Sequence, residues 1–126
     1  MLKLLLVGLG GFCGSVARAL VSNFVQQTSH SSFPFGTLAV NVIGCLVIGG
    51  LSELGEAREV FSPETRAFIF VGILGGFTTY SSLGNETINL WRGGVPVAAW
   101  LNIAVQLLLG LSAVWLGRVL VRQIWH

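Results

Sequence analysis

The chain has 126 residues, of which 53% are hydrophobic and only 10% charged, whereas ordinary soluble domains carry about 25% charged residues. The length suits one domain, but so few charges cannot coat it for water. Composition therefore argues against a soluble enzyme and for a protein solvated by lipid. The formal net charge of +2, without any basic run, also argues against a nucleic-acid partner.

The twelve Lys, Arg, Asp and Glu residues leave uncharged stretches at 4–17, 19–52, 67–85 and 93–117. A membrane-spanning helix needs roughly 20 mainly apolar residues. The longest stretch exceeds one helix, and its polar run Gln26-Gln27-Thr28-Ser29-His30-Ser31-Ser32 reads as a loop closed by Phe33-Pro34. The expectation is an all-α membrane protein with four transmembrane helices in a single domain, at about 4–25, 35–54, 63–91 and 95–124. Ser62-Pro63-Glu64 supplies a hydroxyl cap, a proline at the first helical position and an early acid for the third helix. Gly93-Gly94 ahead of Pro96 predicts a tight turn into the fourth. A soluble four-helix bundle would need polar outer faces, and the first, second and fourth segments have almost none.

The N-terminal segment resembles a secretory signal, because Ala17-Arg18-Ala19 follows an apolar run. An arginine between the two alanines is a poor cleavage context, and the apolar character resumes beyond it. Cys13 and Cys45 lie inside apolar stretches and read as small buried residues, not as a disulfide. Four spans place both termini and the 53–66 loop on one side, with Lys3, Arg58, Arg66, Arg118 and Arg122. Arg92 is on the other side, with Arg18 if it reaches that interface. Positive charge then favours a cytoplasmic side for both termini.

Seventeen glycines are many for helices, but in a membrane they let backbones approach closely. Gly10/Gly14, Gly11/Ser15, Cys45/Gly49 and Gly72/Gly76 have the small-xxx-small spacing. Four thin helices cannot both enclose a polar pathway and shield it from lipid, so a dimer or larger assembly is expected. Polar residues within the spans mark that pathway, because burying them is expensive. Thr37 and Asn41 share a face of the second helix, as Asn102 and Gln106 do on the fourth. The third helix reads Gly75-Gly76-Phe77-Thr78-Thr79-Tyr80-Ser81-Ser82-Leu83-Gly84-Asn85-Glu86. Paired glycines followed by β-branched threonines make poor helix there, and a break would free carbonyls able to bind a cation. Ser82 and Glu86 are one turn apart, as are Ser81 and Asn85.

Hydroxyls, amide N–H groups and electropositive aromatic edges suit a small, hard anion. With no Lys in the spans, and with Arg18 the one Arg away from the span ends, the anion would not be trapped by full charges. No His or Cys pair has ligand spacing, and no nucleophile–base or paired-carboxylate arrangement appears, so neither a transition-metal transporter nor an enzyme is expected.

Three motifs carry a family resemblance along nearly the whole chain. They are Gly10-Gly11-Phe12-Cys13-Gly14-Ser15-Val16-Ala17-Arg18, Gly36-Thr37-Leu38-Ala39-Val40-Asn41 and Gly75-Gly76-Phe77-Thr78-Thr79-Tyr80-Ser81-Ser82-Leu83. They resemble the GGxxGxxxR, GTLxVN and GGxTTFSTF patterns of the Fluc (CrcB) fluoride channels, in order and each on the expected helix. The resemblance implies a bacterial inner-membrane channel that passively exports fluoride. It implies an antiparallel, dual-topology homodimer with two pores, a broken third helix and a structural sodium ion at the centre. Backbone carbonyls of Gly75 and Thr78 from both subunits would hold the sodium. Asn41 would line the pore and donate to fluoride, positions 80 and 83 would be the two pore aromatics, and Ser81, Ser82 and Glu86 would form the polar side of the third helix. Arg18 would be structural or vestibular. The chain departs from the pattern with Tyr80 and Leu83 where the family has phenylalanine, and with Ser82 for threonine. A heterodimer whose partner supplies the missing groups is the variant reading. A proton-coupled transporter of the small multidrug-resistance type is the rival, but that family uses a glutamate on its first helix, and the embedded acid here is Glu86 on the third. A non-transporting assembly subunit is the third class.

Overall fold

The computed structural model describes residues 1–125. Its helices are α1 (Leu2–Ser29), α2 (Phe35–Arg58), α3 (63–77), α4 (Tyr80–Arg92) and α5 (Pro96–Trp125). Together α3 and α4 make one interrupted span, Pro63–Arg92, so four segments are long and apolar enough to cross a membrane. At about 1.5 Å per residue each exceeds the roughly 30 Å of bilayer hydrocarbon. By length and composition this is a multi-pass membrane protein.

The polar run after the first span does not begin a loop where expected. Helix α1 continues through Gln26–Ser29 and stops at His30, which adopts a left-handed conformation (φ 50°). The reason is Gln26, whose side chain does the work of a cap. Its Nε2 donates to the carbonyls of Ser31 (2.7 Å) and Phe33 (3.0 Å), and its Oε1 accepts from the N–H of Gly36 (3.0 Å). One amide thus ties the end of α1 to the start of α2. The start of α3 follows the sequence reading: Ser62 accepts from the Thr65 N–H, with Pro63 next and Glu64 in the first turn. Gly94 (φ 80°) forms the turn before α5.

Packing is set by small residues. Helix α1 lies against α3 with Gly10 and Gly14 facing the backbone of Phe68, Gly72, Ile73 and Phe77. Gly76 sits against the backbone of Gly11 and Ser15. Helices α2 and α5 meet likewise, Gly49 against Val114 and Gly117 against Leu46. Residues 67–74 of α3 are wound more loosely, with i→i+5 hydrogen bonding. Such π segments often accompany functional sites. The buried apolar core is small, consisting of Val40, Leu74, Phe77, Ala99 and Ala113. Leu5, Leu9, Phe12, Leu20 and Phe24 stand exposed along α1, as lipid-facing side chains would. Cys13 is exposed and Cys45 half-buried, and both are free thiols.

Candidate functional site: a clamped helix break

Thr78 and Thr79 interrupt the third span at its middle. Both are extended, with φ/ψ of −82°/157° and −149°/119°, conformations that suit β-branched side chains. The break is held open by Asn41 of α2. Its Oδ1 accepts from the Thr79 N–H (2.8 Å), and its Nδ2 donates to the Thr79 carbonyl (3.1 Å). The second Nδ2 hydrogen goes to Gln106 Oε1 on α5 (3.0 Å). Gly44, one turn beyond Val40 on the same helix, leaves room for the Thr78 methyl.

On the near side of the break, Thr78 turns inward, and both its N–H and its hydroxyl donate to the Leu74 carbonyl (3.0 Å each). On the far side, Thr79 caps α4. Its hydroxyl oxygen accepts from the Ser82 N–H (3.2 Å), while its O–H donates to Ser82 Oγ (3.0 Å). These exchanges release carbonyls. In an unbroken helix Gly75 would accept from the Thr79 N–H and Thr78 from the Ser82 N–H, but those donors now serve Asn41 and the Thr79 hydroxyl. Among the described residues no other N–H replaces them. Gly76 and Phe77 lose their helical donors, Tyr80 and Ser81, in the same way, so bare carbonyl oxygens stand at mid-span, ligands of the kind a hard cation takes. No cluster of three His, Cys, Asp or Glu occurs among the described residues, so a cation here would be held by the backbone.

Beside the break lies a largely apolar, open cavity of about 370 Å³. Six of the residues singled out in the sequence line it: Asn41, Gly75, Thr78, Tyr80, Leu83 and Gln106. Tyr80 is 86% exposed and Ser81 is exposed, with Gly84, Asn85, Ile88 and Asn89 continuing the same open face of α4. The other candidates lie elsewhere. The Thr37 hydroxyl donates to Glu86 Oε1 (2.6 Å), and Glu86 borders a second depression with Ser32, Pro34 and Asn89. Asn102 is fully buried between α4 and α5, donating to the Thr87 hydroxyl oxygen (3.0 Å), whose own hydrogen goes to the Leu83 carbonyl (2.7 Å). Ser82 is held by the Thr79 cap. Arg18 is half-buried on α1 and makes no ion pair among the described residues.

The sequence reading did not single out Thr79 and Thr87 individually. Thr79 was visible only as one of two equivalent threonines, and nothing in the spacing told which of them Asn41 grips. Thr87 stands four residues after Leu83, a position from which a threonine hydroxyl commonly bonds back to its own helix. That local habit could have marked it, though not as the partner of Asn102.

Residues 5–118, which include most of all four spans, match the family described as CrcB-like protein, Camphor Resistance (CrcB). The chain belongs to this CrcB-like family. A protein of Shewanella loihica named fluoride-specific ion channel FluC is 50% identical to it over 121 residues, 96% of this chain and 97% of that one. A protein of the same name from Shewanella woodyi is 47% identical over 121 residues, with the same coverage. Another, from Sorangium cellulosum, is 44% identical over 118 residues, 94% of this chain and 93% of its own length. Family membership leaves the small multidrug-resistance reading without support.

Proposed function

We propose that this chain forms a passive fluoride-selective channel through which cytoplasmic fluoride leaves the cell. The observation that carries the reading is the full-length similarity to proteins named fluoride-specific channels, joined to a break lined by neutral amide, hydroxyl and backbone groups. No Lys or Arg borders the cavity. A small anion can exchange water for such donors and still leave, because no full positive charge holds it.

The working unit is a homodimer of antiparallel copies with two pores. Three features of the single chain support a second copy. Its accessible surface is 7883 Å², whereas a compact 13.4 kDa protein exposes about 6,500 Å². The cavity at the break opens outward, and irregular backbone at membrane depth is tolerated only when protein or a water-filled path covers it. The face of α4 bearing Ser81 and Asn85 is polar and exposed, which lipid would not accept. A second copy over this face closes the cavity into a pathway. Tyr80 and Leu83 then stand at the two pore-aromatic positions, the first able to offer a ring edge and a hydroxyl, the second only an apolar wall. Thr37, Ser81, Ser82 and Glu86 extend the polar side. Asn102 lies behind the wall and supports it through Thr87, and Arg18 is vestibular or structural.

The released carbonyls of Gly75 and Thr78 fit a structural sodium ion shared between the copies. It would supply positive potential at the dimer centre without a charged side chain. The test is fluoride efflux from liposomes holding the purified chain alone. Rapid passive efflux with chloride retained is expected. No efflux from well-folded protein overturns the channel reading for the homodimer; efflux only when a second, different subunit is added would replace it with the heterodimer.

A further inference from the structure

Three buried side-chain atoms have no hydrogen-bond partner among the described residues: Glu86 Oε2, Asn102 Oδ1 and Gln106 Nε2. Such atoms are rare in folded proteins and call for an explanation. Asn102 Oδ1 is an acceptor, and so is Glu86 Oε2 when the carboxyl is ionised, and both would then repel an anion. Gln106 Nε2 is the one amide donor of the three, and it donates whatever the state of Glu86. Gln106 is 7% exposed and is among the residues around the cavity at the break, its Nε2 itself buried just behind the cavity wall.

Amide ends are exchangeable in principle, but here a chain of bonds fixes them. It begins at the Thr79 N–H, which can only donate, and Asn41 Oδ1 receives it at 2.8 Å. Asn41 must then turn Nδ2 toward the Thr79 carbonyl, which can only accept. The remaining Nδ2 hydrogen demands an acceptor, and Gln106 answers with Oε1 at 3.0 Å. Gln106 is therefore obliged to present its NH₂ group with neither hydrogen taken. Asn41, by contrast, has committed both of its hydrogens within the protein. At the break, the N–H groups of Tyr80 and Ser81 open the 13-residue helix α4 without a carbonyl partner among the described residues. They lie at the end of the helix where the dipole favours negative charge.

We propose that Gln106 Nε2 is the side-chain donor that takes the dehydrated anion at the helix break, and that Asn41 is the residue that positions it. The assignment rests on the fluoride-channel reading. It gives the ligand class as a small monovalent anion, bound by an amide and helix-terminal N–H groups instead of a cationic side chain. The backbone break and the donor are one device, because the same Thr79 amide that leaves the helix orders the glutamine.

The test uses the full chain in liposomes, as wild type, Gln106→Glu and Gln106→Leu, with fluoride efflux followed by electrode. Gln106→Leu removes the donor outright, and Gln106→Glu keeps an oxygen for the Asn41 bond and loses the donor once ionised. Removing a preorganised donor costs roughly 100-fold in rate in comparable sites, and that loss is expected in both variants. Wild-type flux with either folded variant within about threefold of it overturns the assignment and leaves the channel reading intact. Absent flux in the wild type overturns both. Direct contact is read separately, from the side-chain amide signal of nitrogen-labelled Gln106. It should move on adding fluoride and not chloride, and lose that response in Asn41→Asp, where Nε2 is drawn to the new carboxylate. A Gln106 signal indifferent to saturating fluoride overturns the proposal, as does an unchanged response in Asn41→Asp.

Discussion

Replacing Asn41 with leucine removes the clamp while nearly conserving volume. Three hydrogen bonds disappear, two to the Thr79 backbone and one to Gln106. Thr79 and Gln106 are both buried, so water cannot make good the loss. Hydrogen bonds inside membrane proteins average only about 0.6 kcal/mol, because the unfolded chain in lipid also finds partners. Three such bonds give about 2 kcal/mol as a lower figure. A buried group left bare costs about 1–3 kcal/mol, and if Thr79 N–H and C=O both remain bare the total rises to about 6 kcal/mol. The local response is sharper than the global one. With its acceptor gone, the Thr79 amide is held by nothing else among the described residues, and the lower figure already corresponds to about a 30-fold rise in its opening equilibrium. Hydrogen exchange in detergent or nanodiscs, read at Thr79 against a helical amide such as Val40, measures this. Asn41→Asp should keep Thr79 slow, since a carboxylate oxygen still accepts its N–H. Exchange at Thr79 within about twofold of wild type in Asn41→Leu would refute the view that Asn41 holds the break.

Gly14→Ala should destabilise the fold by about 1–3 kcal/mol, as overpacking does, because the added methyl meets the Ile73 backbone, whereas Gly8→Ala meets nothing within 4 Å and should be neutral; unfolding in mixed micelles compares the two. Glu53 and Glu56 hold Arg118 and Arg122 in a network at 2.9–3.3 Å. In the proposed dual-topology state, a C-terminal reporter should be active on both sides of the membrane. The double change Glu53→Gln, Glu56→Gln should then shift it toward the cytoplasm by freeing two arginines. An unchanged ratio would show that the ion pairs have no bearing on orientation.

The spans were legible because apolar length is a one-dimensional property. The start of α3 and the Gly93–Gly94 turn were legible because their signals are local. The end of α1 was misread because polarity alone was counted. Gln26 belongs to the helix, since its side chain bonds forward to Ser31, Phe33 and Gly36, and a capping amide resembles a loop residue until its partners are known. The location of the break was legible from Gly75-Gly76 and Thr78-Thr79. Its mechanism was not, because it depends on Asn41, which is 38 residues from Thr79 in sequence. Asn102 and Gln106 looked equivalent on one helical face, one turn apart. The fold separates them: Asn102 is sealed between α4 and α5 with a bare acceptor, and Gln106, beside the cavity, has a bare donor. The sign of an unpaired atom is a property of the whole bonding chain, and no spacing rule contains it.

That sign bears on how a chain with 10% charged residues can conduct an anion. Breaking one helix at mid-span creates two termini at the same depth. The end of α3 offers carbonyls, at Gly75 and Thr78, and carries the negative end of its dipole. The start of α4 offers N–H groups, at Tyr80 and Ser81, and carries the positive end. In the proposed channel these opposite needs are met by opposite ions, a fixed cation on the carbonyls and a passing anion on the N–H side with Gln106. A lysine could supply the same attraction, but it would bring a desolvation cost and a full charge that retains the anion. Partial charges of a broken backbone attract more weakly and need no side-chain ionisation. Conduction requires a site favourable enough to enter and weak enough to leave. In the proposed channel the break would thus do what fixed positive charges do in other pores, with no Lys or Arg bordering the cavity.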